Sequence, residues 1–280
     1  VSIGALYGLL AFANVVLFKA TGTVNFATGI MATLCAFIAW RFTSNHELGT
    51  IPAVALAIAG SVALGGIVYA VVGARNARNP TALLVRTLAV DLVLVALINR
   101  FYAIGQPYEF PSLLSSGGVT VGGTLISYAT FEVIGICIVL TALFMVFFRY
   151  TRAGLLTRAM ADNRDVATLL GVPTRRLAAL AWAIASVIGA VVALVSANQL
   201  LLSTNMLDDF VLYAFTGAII FGLTSLSGAI IGGIAIGVIT NVVATYQSAD
   251  WSLIVIFCAL IAVLIVRPQG LLGHAAVRRV

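Results

Sequence analysis

The sequence predicts an all-α fold: a polytopic transmembrane bundle of about nine segments, forming one domain over residues 1–280, with a broken or re-entrant helix near 19–29. Three observations carry this. Hydrophobic residues make up 62% of the chain and charged residues only 9%, against about 25% charged in soluble domains. The mean hydropathy is +1.14. Apolar runs approaching the roughly 20 residues needed to cross a bilayer recur from end to end.

In chain order, the first two runs, 3–18 and 26–41, are short and are separated by the polar segment KATGTVN at 19–25. Runs 52–72 and 81–98 follow. The loop 99–130 carries Arg100, Glu109 and the glycine-rich SSGGVTVGG, suited to a short hairpin. Run 131–148 leads into the loop 149–177, and runs 178–197, 208–223, 228–245 and 251–266 complete the series. Within 228–245, Gly228/Gly232 and Gly233/Gly237 are small-xxx-small pairs that let membrane helices approach closely, most simply within the bundle itself. Cys35, Cys137 and Cys258 all fall in apolar runs, as buried small hydrophobes would.

The formal net charge of +6 would suggest nucleic acid in a soluble protein. Here the cations sit in short loops: Arg75 and Arg78, six arginines within 149–176, and Arg267, Arg278 and Arg279 in the tail. With nine spans all three regions fall on one side. The positive-inside rule then places the 149–177 loop and the C-terminus in the cytoplasm and 99–130 outside. The inventory excludes several chemistries. Lys19 is the only lysine and lies in no glycine-rich Gly-Lys-Ser/Thr cradle, so the chain has no ATPase site of its own. The two histidines, His46 and His274, fall outside the spans on opposite sides, which argues against a histidine metal site or a Ser–His dyad. A transport or channel role remains.

The 149–177 loop reads as a short helix with a clear stop. Leu156, Met160, Ala167 and Leu170 form a weakly apolar stripe that Asn163 interrupts; Gly171 suits the C′ position and Pro173 forbids continuation. A solvated topology anchor would explain the arginines. A helix with a semi-apolar face and a punctuated end suits docking into a groove on a cytoplasmic partner. The segment 19–29, with Thr21, Gly22, Thr23, Asn25, Phe26 and Thr28, supports two readings equally: a discontinuous helix lining a transport cavity, or a simple cytoplasmic turn.

Four segments, in order, resemble the permeases of ATP-binding cassette importers for branched-chain amino acids. GLLTRAMADNRDVATLLGVPTRRLAALAWAIAS is similar to their cytoplasmic coupling loop. TGTVNFATG (21–29) is similar to G-x-x-N-F-A-H-G, FGLTSLSGAIIGGIAIG (221–237) to G-G-L-G-S-I-P-G-A-x-x-G-G, and RPQGLLG (267–273) to R-P-Q-G-L-F-G. The likeness is closer to the LivH-type than to the LivM-type subunit. It implies a multi-pass protein of a bacterial cytoplasmic membrane, paired with a second permease subunit of LivM type, two cytoplasmic ATPases that hold ATP-Mg, and an external substrate-binding protein. The chain itself would carry no cofactor or metal. The resemblance further implies ATPase coupling through Arg158, Ala161, Asp162, Asn163, Leu170 and Gly171, and tips Lys19, Thr21, Thr23, Asn25, Phe26, Thr28 and Asp91 toward the substrate pathway. A stand-alone channel or secondary transporter is the alternative.

The chain departs from the family pattern at four places: Thr28 where histidine is common, Lys19 for glycine, Asp91 for a small residue and Tyr213 for lysine. These leave the substrate open among amino acids, urea, short amides and organic acids. Ionised side chains at bilayer depth normally face a cavity or a partner. Lys19 and Asp91 are therefore expected either to face the pathway together, as a pair or a clasp for a zwitterion, or to separate, with Lys19 snorkelling to the cytoplasmic surface.

Overall fold

The computed structural model describes residues 2–44, 49–73, 80–102, 107–110, 117–121 and 124–273. Arg75, Arg78, Arg278, Arg279, His46 and His274 lie outside the described residues. The helices are α1 (Ser2–Thr21), α2 (Thr28–Ser44), α3 (Thr50–Val72), α4 (Pro80–Tyr102), α5 (Tyr128–Tyr150), α6 (Arg152–Asp162), α7 (Arg164–Leu169), α8 (Thr174–Leu200), α9 (Asp208–Phe221), α10 (Leu226–Tyr246) and α11 (Ala249–Val266). Strands β1 (Gly118–Val121) and β2 (Thr124–Ser127) pair antiparallel, with Gly118 opposite Ser127, inside the loop where the sequence suggested a hairpin.

Six helices among the described residues, α1, α3, α4, α5, α8 and α10, are long and apolar enough to cross a membrane, where the sequence predicted about nine segments. The shortfall has a structural reason. α2 has 17 residues and α9 has 14, and each begins after a break. Their first turns meet: a Cβ on Gly29 would touch the side chains of Val211 and Leu207. The third short element is the apolar stretch Trp251–Val266 of α11.

α1 and α8 form the centre. α8 packs against α1, α2 and α3. Its Trp182 is fully buried, as is Phe12 of α1. α10 runs antiparallel to α1, and glycine sets the spacing: a Cβ on Gly233 would strike the backbone of Gly8, and one on Gly237 the backbone of Gly4. On the neighbouring stripe Gly232 meets the carbonyl of Gly217 on α9. Gly228 instead lies in the first turn of α10, where its N–H donates to the Ser225 hydroxyl that caps the helix. α3, α4, α5 and α11 form the outer layer, with large apolar side chains such as Leu92, Val139 and Ile265 exposed for lipid or a partner. Cys35 and Cys137 are buried as expected, but Cys258 is exposed, because α11 turns that side outward.

Most of the cations among the described residues gather at one end of the bundle, with Arg41 and Arg100 at the other. α6 and α7 pack there against α1, α5 and α8. Arg86 at the start of α4 donates to the Val72 carbonyl at the end of α3, and Tyr69 shares its surroundings with Arg164 and Arg175. The RPQGLLG tail closes on the same end: Leu271 N–H donates to the Ile220 carbonyl at 2.8 Å and Leu272 N–H to that of Phe221 at 3.0 Å. These bonds satisfy carbonyls left open at the end of α9. The close crossing needs Gly222 and Gly270, whose backbones touch and whose φ values are +105° and +80°. The opposite end is held by Tyr108 and Leu202, which exchange two backbone hydrogen bonds, by the stacking of Trp40 on Tyr108, and by Thr204 donating to Asn99.

Glycine packing at α1–α10 leads to a paired expectation. Gly233→Ala drives a methyl into a neighbouring backbone, which has no rotamer to change, and should cost about 3 kcal/mol. Gly60→Ala on α3, where a Cβ meets nothing within 4 Å, should be neutral or stabilising by up to about 1 kcal/mol. Thermal melts of the detergent-solubilised protein compare the two; equal melting temperatures would remove the glycine contact as the spacing constraint.

Candidate functional site

The segment between α1 and α2 is neither of the simple alternatives suggested by the sequence. α1 continues through Lys19 to Thr21 at the basic end. The chain then turns back inside the protein. Thr28, the first residue of α2, lies with its hydroxyl 3.0 Å from Asn14 Oδ1. Asn14 is seven residues before Thr21, so α2 starts about 10 Å deeper than the end of α1, at 1.5 Å per residue. Gly22, with φ +74°, makes the reversal. Backbone outside a helix is tolerated at this depth only where protein groups satisfy it. Here they do: the Thr21 hydroxyl bridges the Leu17 and Thr23 carbonyls, Asn25 Oδ1 accepts from Ala27 N–H, the Thr28 hydroxyl reaches the Asn25 carbonyl at 2.8 Å, and Phe26 N–H donates to Thr87 of α4.

The expected pathway residues therefore divide. Thr21, Thr23, Asn25 and Thr28 are buried and serve the reversal itself. Phe26 is 39% exposed and stacks obliquely with Phe215 of α9. Thr87 supports its backbone, and Asp91 lies one turn further along α4. Asp91 has Asp208, at the first turn of α9, as its charged neighbour. Phe26, Asp91, Phe215 and Asp208 thus border a surface at membrane depth where the breaks before α2 and α9 converge. The structure does not bring Lys19 to it. Lys19 sits at the far end of α1 among Asp162 and Arg158, which corrects the idea of a Lys19–Asp91 pair; the full length of α1 carries the lysine past the reversal. Tyr213 is buried against Tyr7, ring centroids 5.3 Å apart.

Sequence reasoning missed Asn14, Thr87 and Asp208. Asn14 had a signal: a lone asparagine inside YGLLAFANVVLF is costly at bilayer depth unless it has a use. Its Nδ2 has no hydrogen-bond partner among the described residues.

The 149–177 loop also differs from the single helix predicted. α5 ends at Thr151, whose hydroxyl donates to the Phe147 carbonyl and accepts from Gly154 N–H to start α6. Asn163 breaks the run: it is extended, at φ −156°, and its side chain accepts from Val166 N–H to cap α7. Gly171, at φ +79°, ends α7 in a Schellman motif, with Val172 N–H to the Ala167 carbonyl and Gly171 N–H to that of Thr168. Met160 and Ala167, expected on a docking stripe, are buried against the chain itself. The large apolar groups that project are Leu155 on α6 and, together at the far end of the segment, Val166, Leu169 and Leu170, the last two 86% and 78% exposed. Arg158, Ala161, Asp162 and Asn163 instead border a cavity of about 1710 Å³ that also takes in Lys19.

A family model described as branched-chain amino acid transport system, permease component, matches residues 1–264. The chain is similar to the high-affinity branched-chain amino acid permease protein LivH of Escherichia coli K12, with 28% identity over 310 residues covering 100% of this chain and 95% of that protein. It is similar also to BraD of Pseudomonas aeruginosa, with 26% identity over 298 residues and the same coverage. Among solved structures, PsaBC from Streptococcus pneumoniae in complex with Fab is similar at a TM-score of 0.53, with 13% identity, covering 96% of this chain and 90% of that one. That likeness speaks for the fold alone.

The reversal makes a local prediction. Thr28→Val keeps the shape but removes the hydroxyl, and should destabilise the protein by roughly 1 kcal/mol, within the range for hydrogen bonds between membrane helices. Thr28→Ser should recover most of that loss in a thermal melt. A valine variant as stable as the parent would mean that the hydroxyl does not hold the reversal.

Proposed function

The chain belongs to the permease components of branched-chain amino acid transport systems, and from that premise we propose that it translocates a small amino acid, most simply a branched-chain one, through a pathway completed by a second, LivM-type permease. The match across residues 1–264 is the observation that carries this reading. Separate ATPases bind and hydrolyse ATP-Mg, and an external binding protein delivers the substrate. The basic end of the bundle is cytoplasmic, in keeping with the clustering of arginines there, and with it the C-terminus. α2, α9 and α11 count as crossings because each runs on from a break or turn, giving nine segments.

In mechanism, the surface around Phe26 is one wall of the pathway. Asp91 and Asp208 offer carboxylates to the ammonium group of an amino acid, while the Phe26 and Phe215 rings meet its apolar side chain. The α6–α7 segment is the coupling element. Its Asn163 corner and Gly171 stop hold Leu169 and Leu170 outward as an apolar knob for an ATPase groove. Nucleotide-driven movement of that groove displaces α6, which packs on both α1 and α5, and α1 carries the motion to the reversal.

Reconstitution with the partner subunits tests the function: leucine uptake should require ATP and the binding protein, and flux through the purified chain alone would support a channel instead. Leu169→Asp with Leu170→Asp should leave the fold intact, because both side chains are exposed. It should weaken ATPase association at least about a hundredfold, the loss expected from two buried leucines at about 1.5 kcal/mol each. For orientation, cysteines placed at Thr120 and Asp165 in a cysteine-free background should react with an impermeant thiol reagent from opposite faces; labelling from one face would overturn the segment count.

A further inference from the structure

The cavity at the basic end has two layers. Lys19, Arg149, Arg158 and Arg164 line it with a single carboxylate, Asp162, among them. Arg149 and Arg158 are held near each other by a hydrogen bond from the Arg158 guanidinium to the Arg149 carbonyl at 3.3 Å. Below the cations the wall is apolar. Met145 lies one turn before Arg149 on the same stripe of α5, Phe18 precedes Lys19 on α1, and Val146 is 54% exposed. The cavity is also open sideways. α5 packs on α1 and α6, α10 on α1, α9 and α11, and α5 and α10 share no packed face among the described residues. Between them α1 is buried along its middle and partly exposed only at Phe18 and Lys19 near its basic end, so the open side is lined by Phe18 with the exposed Met145 and Val146 of α5.

We propose that this cavity is a binding site for an anionic phospholipid, its phosphodiester among Lys19, Arg149 and Arg158 and its acyl chain along Phe18, Met145 and Val146. Charge complementarity selects an anion. The apolar wall running from the cations toward the membrane centre selects an amphiphile over a free anion or an amino acid, neither of which has a chain to lay there. Basic clefts between helices at the cytoplasmic leaflet are suited to such headgroups. The bound lipid would balance the cations beside the moving α6 and tie its position to the composition of the leaflet.

The test is native mass spectrometry of the full chain, exchanged into micelles containing equal phosphatidylglycerol and phosphatidylcholine. Phosphatidylglycerol should be retained in preference, by about fivefold for each contributing cation. Arg149→Gln and Arg158→Gln should each lower that preference by a similar factor, and the two together by their product. Arg176→Gln, an exposed arginine on α8 outside the cavity, should leave it unchanged. Lys19→Gln is a further variant, and the arginine pair keeps the proposal testable if it fails to fold. Equal retention of both lipids, or a preference indifferent to the arginine changes, overturns the site. Displacement of the lipid by millimolar inorganic phosphate overturns the choice of an amphiphile.

Discussion

The architecture depends on one contact, the antiparallel crossing of α1 and α10 at Gly4, Gly8, Gly233 and Gly237. In lipid no hydrophobic gain drives helices together, so association rests on close packing. Backbones that touch at glycine allow that packing, and they fix α10 in both rotation and depth. Gly232, on the next stripe, then receives α9 against Gly217. α1 becomes the axis: α10 on one side, α8 on another, α5 and α6 near its basic end. Few of its residues reach the surface, and those that do lie near its two ends.

A second constraint follows from burying α1 so fully. A chain that must turn back inside the protein exposes backbone donors and acceptors where water cannot serve them. The threonines and asparagine of TGTVNFATG meet that need almost entirely among themselves, which accounts for so many small polar side chains in an otherwise apolar region. The same economy appears at the end of α9, where the tail contributes its own N–H groups, and at the α6–α7 corner, where Asn163 and Gly171 provide the caps. Each motif that looked like a family marker in the sequence is, in the structure, a place where the helical hydrogen-bond pattern stops and a specific side chain or glycine takes over.

In the proposed reading, the coupling segment α6–α7 and the surface at membrane depth both bear on α1, at different depths. Lys19 belongs to the first and Asn14 to the second, five residues apart on α1. Their separation explains why a lysine and an aspartate that both looked buried do not meet. It also gives a short rigid route from the α6–α7 segment to the reversal, without any chain of side-chain switches.

Patterning alone determined much of this protein. The apolar runs dictated the helices because a bilayer satisfies backbone groups in no other economical way, and Gly171 with Pro173 marked the end of α7 because only a left-handed residue fits there. The arginines marked one end of the bundle through their cost in lipid. The glycines of 228–237 announced close packing. What the sequence left open was depth and partnership. KATGTVN reads equally as a turn or a break, since its hydrogen bonds are local in either case; only the contact of Thr28 with Asn14 decides that α2 begins partway along α1. Met160 and Ala167 looked available for docking, yet they are buried, while Leu169 and Leu170 project. Helical periodicity defines a face but not its neighbour, and the neighbour was chosen by the way α6 folds back onto α1, α5 and α8.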